Sequence, residues 1–183
     1  MMIITGNPGT GKHTIAKILA DRLGLEIIDI NKIAIGKGMF KKSDGTLDVD
    51  VRRLKKILDK KVSKDSLVVG HLAPYVVSRN KVDTAVVLRR NPYTLERVYK
   101  SRKYSQKKSI ENLGSEILGI IHYDTIKKIG RNKTFQFDTT NRSILSIAKK
   151  VESAFLRDKI KEDAVDWLGL VLKKGDLRRF FPY

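Results

Sequence analysis

Apolar positions along this chain gather into five short runs, with stretches of helical periodicity between them. The runs Met2–Thr5, Glu26–Ile30, Ser66–His71, Thr84–Arg89 and Thr134–Thr139 read as strands. Leu67-Val68-Val69 and Ala85-Val86-Val87-Leu88 are unbroken apolar segments, as expected of strands covered on both faces. After the first strand, Ile15, Ile18, Leu19 and Leu23 share one helical face, and Gly24 supplies a stop. Asp50 to Lys61 places Val51, Leu54, Ile57 and Leu58 on one side, with Arg52, Arg53, Lys55, Lys56, Lys60 and Lys61 mostly outside. Pro92–Ser101 is a helix with proline in its first turn. One long helix is expected from Ser105 to about Ile129, with Ile110, Leu113, Ile117 and Ile120 on one stripe. Ile144, Ile147, Val151 and Phe155 mark a helix after the last strand. This alternation predicts an α/β fold: a doubly wound, five-stranded parallel sheet with helices on both faces.

The polar residues that interrupt the pattern first are the most telling. Gly6-Asn7-Pro8-Gly9-Thr10-Gly11-Lys12-His13-Thr14 joins the first strand to the first helix. The spacing is G-x-x-x-x-G-K, that of a phosphate-binding P-loop. Its glycines let successive N–H groups turn inward around anionic oxygens, and the helix adds its positive end. Lys12 is placed to reach the β- and γ-phosphates of a nucleoside triphosphate. The residue after that lysine is ordinarily Ser or Thr. Here it is His13, and the hydroxyl follows one place later, at Thr14. The form G-x-P-G-x-G-K-x-T is that of nucleoside monophosphate kinases, and Thr14 is the candidate metal-facing hydroxyl.

Composition narrows the setting. The 183 residues suffice for one α/β domain with a full core. There is no cysteine, so disulfides and thiolate metal sites are excluded. No apolar run is long enough to span a membrane, and the N-terminus reads as a core strand rather than a signal peptide. A cytoplasmic location is expected. Lys and Arg total 38 against 20 Asp and Glu, a formal charge of +18. Such a surface attracts polyanions such as RNA, and equally describes a plain solvated basic face.

Arg89, Arg90, Arg97, Lys100, Arg102, Lys103, Lys107 and Lys108 crowd one region, with Glu96 the lone acid. Phosphoryl transfer needs cations to spread the charge of the transferring group and a lid to exclude water. A basic helix–turn–helix around Ser101–Ser105 supplies both. His71 ends the third strand, at the carboxyl edge where open α/β sheets bind ligands. It either orients a phosphate or water or is a buried structural histidine. From about Arg157 the chain becomes a tail. Trp167, Leu168, Leu170 and Leu172 can pack as a short helix, and Gly175–Tyr183 is basic and aromatic. Docking on the domain and contact with a partner or RNA are both open.

Several of these pieces together resemble the adenylate kinase isoenzyme 6 family, small nucleoside monophosphate kinases linked to small-subunit ribosome assembly. They are Gly6–Lys12, Gly70-His71, Val87-Leu88-Arg89, Leu95-Glu96-Arg97, Arg102-Lys103-Tyr104-Ser105-Gln106-Lys107-Lys108, Glu111-Asn112, Ser115-Glu116-Ile117-Leu118 and Asp138-Thr139-Thr140. The resemblance spans roughly residues 1 to 155. It implies ATP + AMP ⇌ 2 ADP, a weaker ATPase activity, Mg²⁺, and a small-subunit ribosomal protein as partner, with rRNA a further candidate. It also implies that Gly9, Gly11, Lys12, His13, Thr14 and Arg102 hold ATP. Lys12, His71 and Arg102 become the catalytic set. The region from about 30 to 53 becomes the monophosphate site, about 100 to 110 the lid, 1–157 the kinase-like domain and 158–183 a docked tail.

The chain departs from that pattern at four places. Val69 stands where the third strand normally carries an acid. Lys32 replaces an acidic residue, Lys103 a lid glycine and His13 a threonine. Asp29, Asp48 and Asp50 are the acids placed to compensate for Val69. The expectation is an adenylate-kinase-like phosphotransferase. Its rivals are an ATP-gated ribosome-assembly or RNA-binding factor with little kinase activity, and a P-loop kinase for another small acceptor.

Overall fold

The computed structural model describes residues 1–43, 46–158 and 160–182; for 40–43 and 46–48 it describes the backbone alone. The carboxylate of Asp48 and the whole of Tyr183 therefore lie outside the described residues.

Five strands form the expected parallel sheet: β1 (Met2–Thr5), β2 (Glu26–Asp29), β5 (Ser66–Val69), β6 (Thr84–Arg89) and β7 (Thr134–Asp138). Their spatial order is β2-β5-β1-β6-β7. Side chains alternate across the sheet with period two. Ile3, Ile28, Val68 and Ala85 face one layer, together with Leu54, Leu58, Val76 and Ile129. Ile4, Leu67, Val69, Val86 and Leu88 face the other, together with Ile15, Leu19, Ile147, Val151 and Phe155. Both faces are thus covered. This explains why β5 and β6 read as continuous apolar runs, and every residue of each is buried.

The helices α1 (Lys12–Leu23), α3 (Val51–Lys61), α5 (Pro92–Ser101) and α8 (Ile144–Leu156) lie where the periodicity placed them. Asp50, Asn91 and Ser143 cap the last three through their side chains. Three expected strands end one or two residues early. Ile30 opens α2 (Ile30–Gly36) instead of closing β2, because Asp29 caps that helix by accepting from Lys32 N. A two-stranded antiparallel hairpin, β3 (Phe40–Ser43) with β4 (Thr46–Val49), follows. A short helix α4 (Ala73–Val76) succeeds β5.

The single long helix expected from 105 to 129 is two helices, α6 (Gln106–Ile117) and α7 (Ile120–Ile129). The break is Gly119, at φ 66. A Cβ there would meet the Arg89 guanidinium at 3.4 Å. Arg89 in turn donates to the Glu116 carbonyl at 2.7 Å, which also takes Gly119 N at 3.1 Å, so this helix-end acceptor is satisfied. The predicted stripe shifts accordingly: Leu113 and Ile117 are buried, Ile120 is exposed, and Ile121 takes the inward place.

Residues 160–166 run beside β7, where Asp163 N donates to Gln136 O at 3.1 Å. Then come α9 (Trp167–Lys173) and α10 (Leu177–Phe180). Val171 and Phe180 complete a third cluster with Leu95, Tyr99, Leu113 and Ile117. Of the apolar residues expected to pack here, Trp167 and Leu168 do so, whereas Leu172 is exposed and Val171 is the buried one.

Candidate active site

The phosphate loop leaves the carboxyl end of β1 in a backbone shape that L side chains rarely take. Gly6, Gly9 and Gly11 have φ of 135°, 86° and 90°. At Gly6 a Cβ would stand 2.3 Å from Leu88 O, so only glycine lets the loop pass the end of β6. Within the loop, Thr10 Oγ1 and Lys12 Nζ both donate to Asn7 O, at 2.9 and 3.2 Å. From outside, Tyr99 donates its hydroxyl to Pro8 O and Arg90 its guanidinium to Gly9 O, each at 2.8 Å.

Lys12 is 4% exposed, and its hydrogen bond goes to a carbonyl rather than a carboxylate. Burial, with Arg102 adding to it and Asp29 and Glu116 opposing, pushes its pKa down to about 8. A buried ammonium short of negative charge, inside a ring of inward-turned amides, is a site made for an anion.

The loop opens into a cleft of about 310 Å³. Gly9, Gly11, Lys12, His13, Thr14, His71 and Arg102 all line it, so the sequence-predicted site residues meet at one place. Asn31, Tyr104, Lys108 and Asn112 also line it and were missed. Tyr104 and Lys108 stood in the basic block, but nothing in their spacing marked which side chains face inward. Burial, with Lys12 and Lys108 adding to it, pushes the His71 pKa down to about 4, so its imidazole is neutral at pH 7. Arg102 ends α5, and Lys103 beyond it takes φ 54. That left-handed turn explains a glycine preference at this position. Tyr104 stacks on Tyr99 with centroids 5.2 Å apart, and Lys108 sits 4.2 Å over the Tyr104 ring. A shallow depression of about 340 Å³ lies on the outer side of α5, between Thr94, Arg97, Ser101 and Asn141.

The three candidate substitutes for the missing β5 acid are two helix caps and one undescribed side chain: Asp50 caps α3 through Arg53 N and Asp29 caps α2 through Lys32 N, and the carboxylate of Asp48 lies outside the described residues. Asp29 ends β2, in register beside Val69. Its Oδ2 lies 3.2 Å from His13 Nε2. His13 is half-exposed, its pKa lowered by partial burial and by Lys12. A nucleoside triphosphate fits this donor set: glycine-shaped amides, a buried cation and two flanking basic groups. A magnesium ion takes hydroxyl and carboxylate oxygen donors alongside phosphate oxygens and water: Thr14 lines the cleft, and Asp29 lines the cavity that adjoins it at His13.

Fold and loop together define a P-loop NTPase of the α/β class. A family model described as an AAA domain matches residues 2–119. A protein of Methanocaldococcus jannaschii named "Putative adenylate kinase" is 32% identical over 169 residues, covering 90% of each chain. One of the same name from Pyrococcus abyssi is 31% identical over 170 residues, covering 91% of each. Among solved structures, a gluconokinase from Sinorhizobium meliloti aligns with a TM-score of 0.56 at 15% identity, over 85% of this chain and 91% of its own. A shikimate kinase from Bacteroides thetaiotaomicron gives 0.54 at 16%, over 85% and 97%. These two show a common fold. The chain belongs to the AAA-domain family of P-loop proteins that the first comparison defines. No helix among the described residues is long and apolar enough to cross a membrane.

Proposed function

We propose that this chain is an adenylate kinase, transferring the γ-phosphoryl group of ATP to AMP, with slow hydrolysis of ATP when no acceptor is bound. The observation that carries the reading is the convergence of Lys12, His71 and Arg102 on the cleft at the glycine-shaped loop. The adenylate kinase name of the archaeal relatives supports the choice of acceptor.

In the forward step a phosphate oxygen of AMP forms a bond to the γ-phosphorus as the bond to the β-phosphate bridging oxygen breaks, leaving two ADP. The chain's contribution is positioning and charge. Loop amides and Lys12 hold the β- and γ-phosphates, and Arg102 spreads the charge of the transferring group. Neutral His71 offers one donor and one acceptor to phosphate or water. Asn31, on the α2 side of the cleft, faces the acceptor. Thr14 and Asp29 would hold Mg²⁺, directly or through water, and the ion would supply charge neutralisation on the phosphates.

A second reading is an ATP-gated assembly factor that binds a small-subunit ribosomal protein or rRNA. Val69 in place of an acid and the charge of +18 favour it. A coupled assay of ADP formation with AMP, CMP, gluconate and shikimate as acceptors separates the readings. AMP-dependent turnover that disappears in Lys12→Ala supports the kinase. No acceptor-dependent turnover, with salt-sensitive binding to rRNA, overturns it in favour of the second reading.

A further inference from the structure

Glu116, on α6, is 1% exposed and accepts four side-chain or main-chain donors. Its Oε2 takes Asn7 Nδ2 at 2.8 Å. Its Oε1 takes Arg89 Nε at 2.8 Å, Arg90 N at 3.0 Å and Trp167 Nε1 at 3.1 Å. A carboxylate has about four acceptor sites, and four donors meet this one, three at Oε1 and one at Oε2. Arg89 gives two more of its donors to Glu116 O and Gln136 Oε1, at 2.7 and 3.0 Å. The phosphate loop, the end of β6, helix α6 and the C-terminal segment therefore meet at a single carboxylate.

We propose that Glu116 is a positioning residue for the phosphate loop, and that Trp167, bound to the same carboxylate, makes the segment 160–182 a structural part of the nucleotide site. The inference rests on the phosphate-binding role of the loop. Loop residues 6–11 contribute little apolar surface, so their shape depends on polar ties. Glu116 makes one tie directly, through Asn7. It makes a second through Arg90, whose main-chain N–H it holds while the guanidinium holds Gly9 O. The Asn7 tie is buried and the Arg90 tie part-buried, a setting where charge-assisted hydrogen bonds are strong and poorly replaced by water. Burying a carboxylate is costly unless its partners are complete. A core that only had to join α6 to β6 needs no donor from the loop and none from Trp167.

Asn7→Ala discriminates between positioning and plain packing, because it cuts the loop tie and leaves the Arg89–Glu116 pair whole. Trp167→Phe keeps the ring and removes the donor. In the ligand-free protein, hydrogen exchange at the amides of residues 6–14 is expected to speed up at least about tenfold in Asn7→Ala, the scale of one lost hydrogen bond to a charged group. Exchange in β6 should stay parental. Calorimetry should show ATP bound about tenfold more weakly, while the KM for AMP is unchanged. Trp167 is the sole tryptophan, so ATP should change the emission of the parent and lose that effect in Asn7→Ala. Trp167→Phe should give a smaller rise in loop exchange, about threefold. Parental loop exchange in both variants would overturn the proposal, as would parental ATP affinity in Asn7→Ala. If the parent bound no ATP, the kinase reading would fail, and the exchange experiment would still decide the role of Glu116.

Discussion

The two flanks of the cleft are built differently. On the donor side, the phosphate loop is fastened by polar ties from distant elements: Glu116 to Asn7, Tyr99 to Pro8 and Arg90 to Gly9. On the side the proposed function gives to the acceptor, α2 and the residues after it are attached mainly through apolar side chains, with Ile30, Ala34 and Met39 entering the core. The β3–β4 hairpin beyond it pairs only within itself, apart from the main sheet. Directional bonds fix the phosphate loop; non-directional burial holds α2. The difference assigns precision to the triphosphate half and tolerance to the other.

Lys12→Ala tests the fixed half hardest. It should lower kcat/KM by about 10³-fold, the scale for a preorganised group acting on transition-state charge, measured by initial rates of ADP formation. Phe180→Ala asks whether the C-terminal segment supports that half. Phe180 is 1% exposed and meets Tyr93 edge-on at 5.2 Å. Its truncation should cost about 3–4 kcal/mol, read from urea unfolding. Arg102→Ala should lower kcat by about 10²-fold with the fold intact, a smaller loss because Arg102 is exposed at the end of α5 whereas Lys12 is buried in the loop.

His71 gives a test by pH. Its folded pKa is about 4 against an unfolded value of 6.5. Between those values the unfolded chain binds a proton that the folded chain refuses, so stability falls as pH drops from 6.5 toward 4. At pH 5 the loss is about 2 kcal/mol. His122, pushed down to about 4 mainly by burial and Arg89, acts in the same direction. Urea unfolding at pH 7 and pH 5 should show the loss, and His71→Gln should reduce it. On the tolerant side, Asn31→Ala should raise the KM for AMP by only about threefold, one exposed hydrogen bond's worth, with ATP affinity unchanged. An equal fall in ATP affinity would break the comparison between the flanks.

Local patterns in the sequence made the phosphate loop of the fixed half legible but not its fastening. The loop was legible because strand, glycines, lysine and helix are contiguous. The five strands were legible because two-sided burial leaves unbroken apolar runs. The ties at Glu116 were not, since Asn7 and Trp167 lie 109 and 51 residues away. The break between α6 and α7 was hidden because Gly114 and Gly119 both interrupt the stripe, and only Arg89 packing against Gly119 decides between them. Val171 was mistaken for Leu172 because a seven-residue helix carries too few apolar positions to fix its phase. The β3–β4 hairpin had a sequence signal in Asp44-Gly45, but its flanking residues are mostly polar and do not read as strands.

The central claim is that the glycine-shaped loop with buried Lys12 is ready to receive a triphosphate. Calorimetric titration of ATP with magnesium into the parent and Lys12→Ala proteins at pH 7 tests it most directly. The account predicts saturable one-to-one binding to the parent and binding at least about tenfold weaker to the variant. A folded parent that takes up no ATP, or a variant that binds as tightly as the parent, would contradict it.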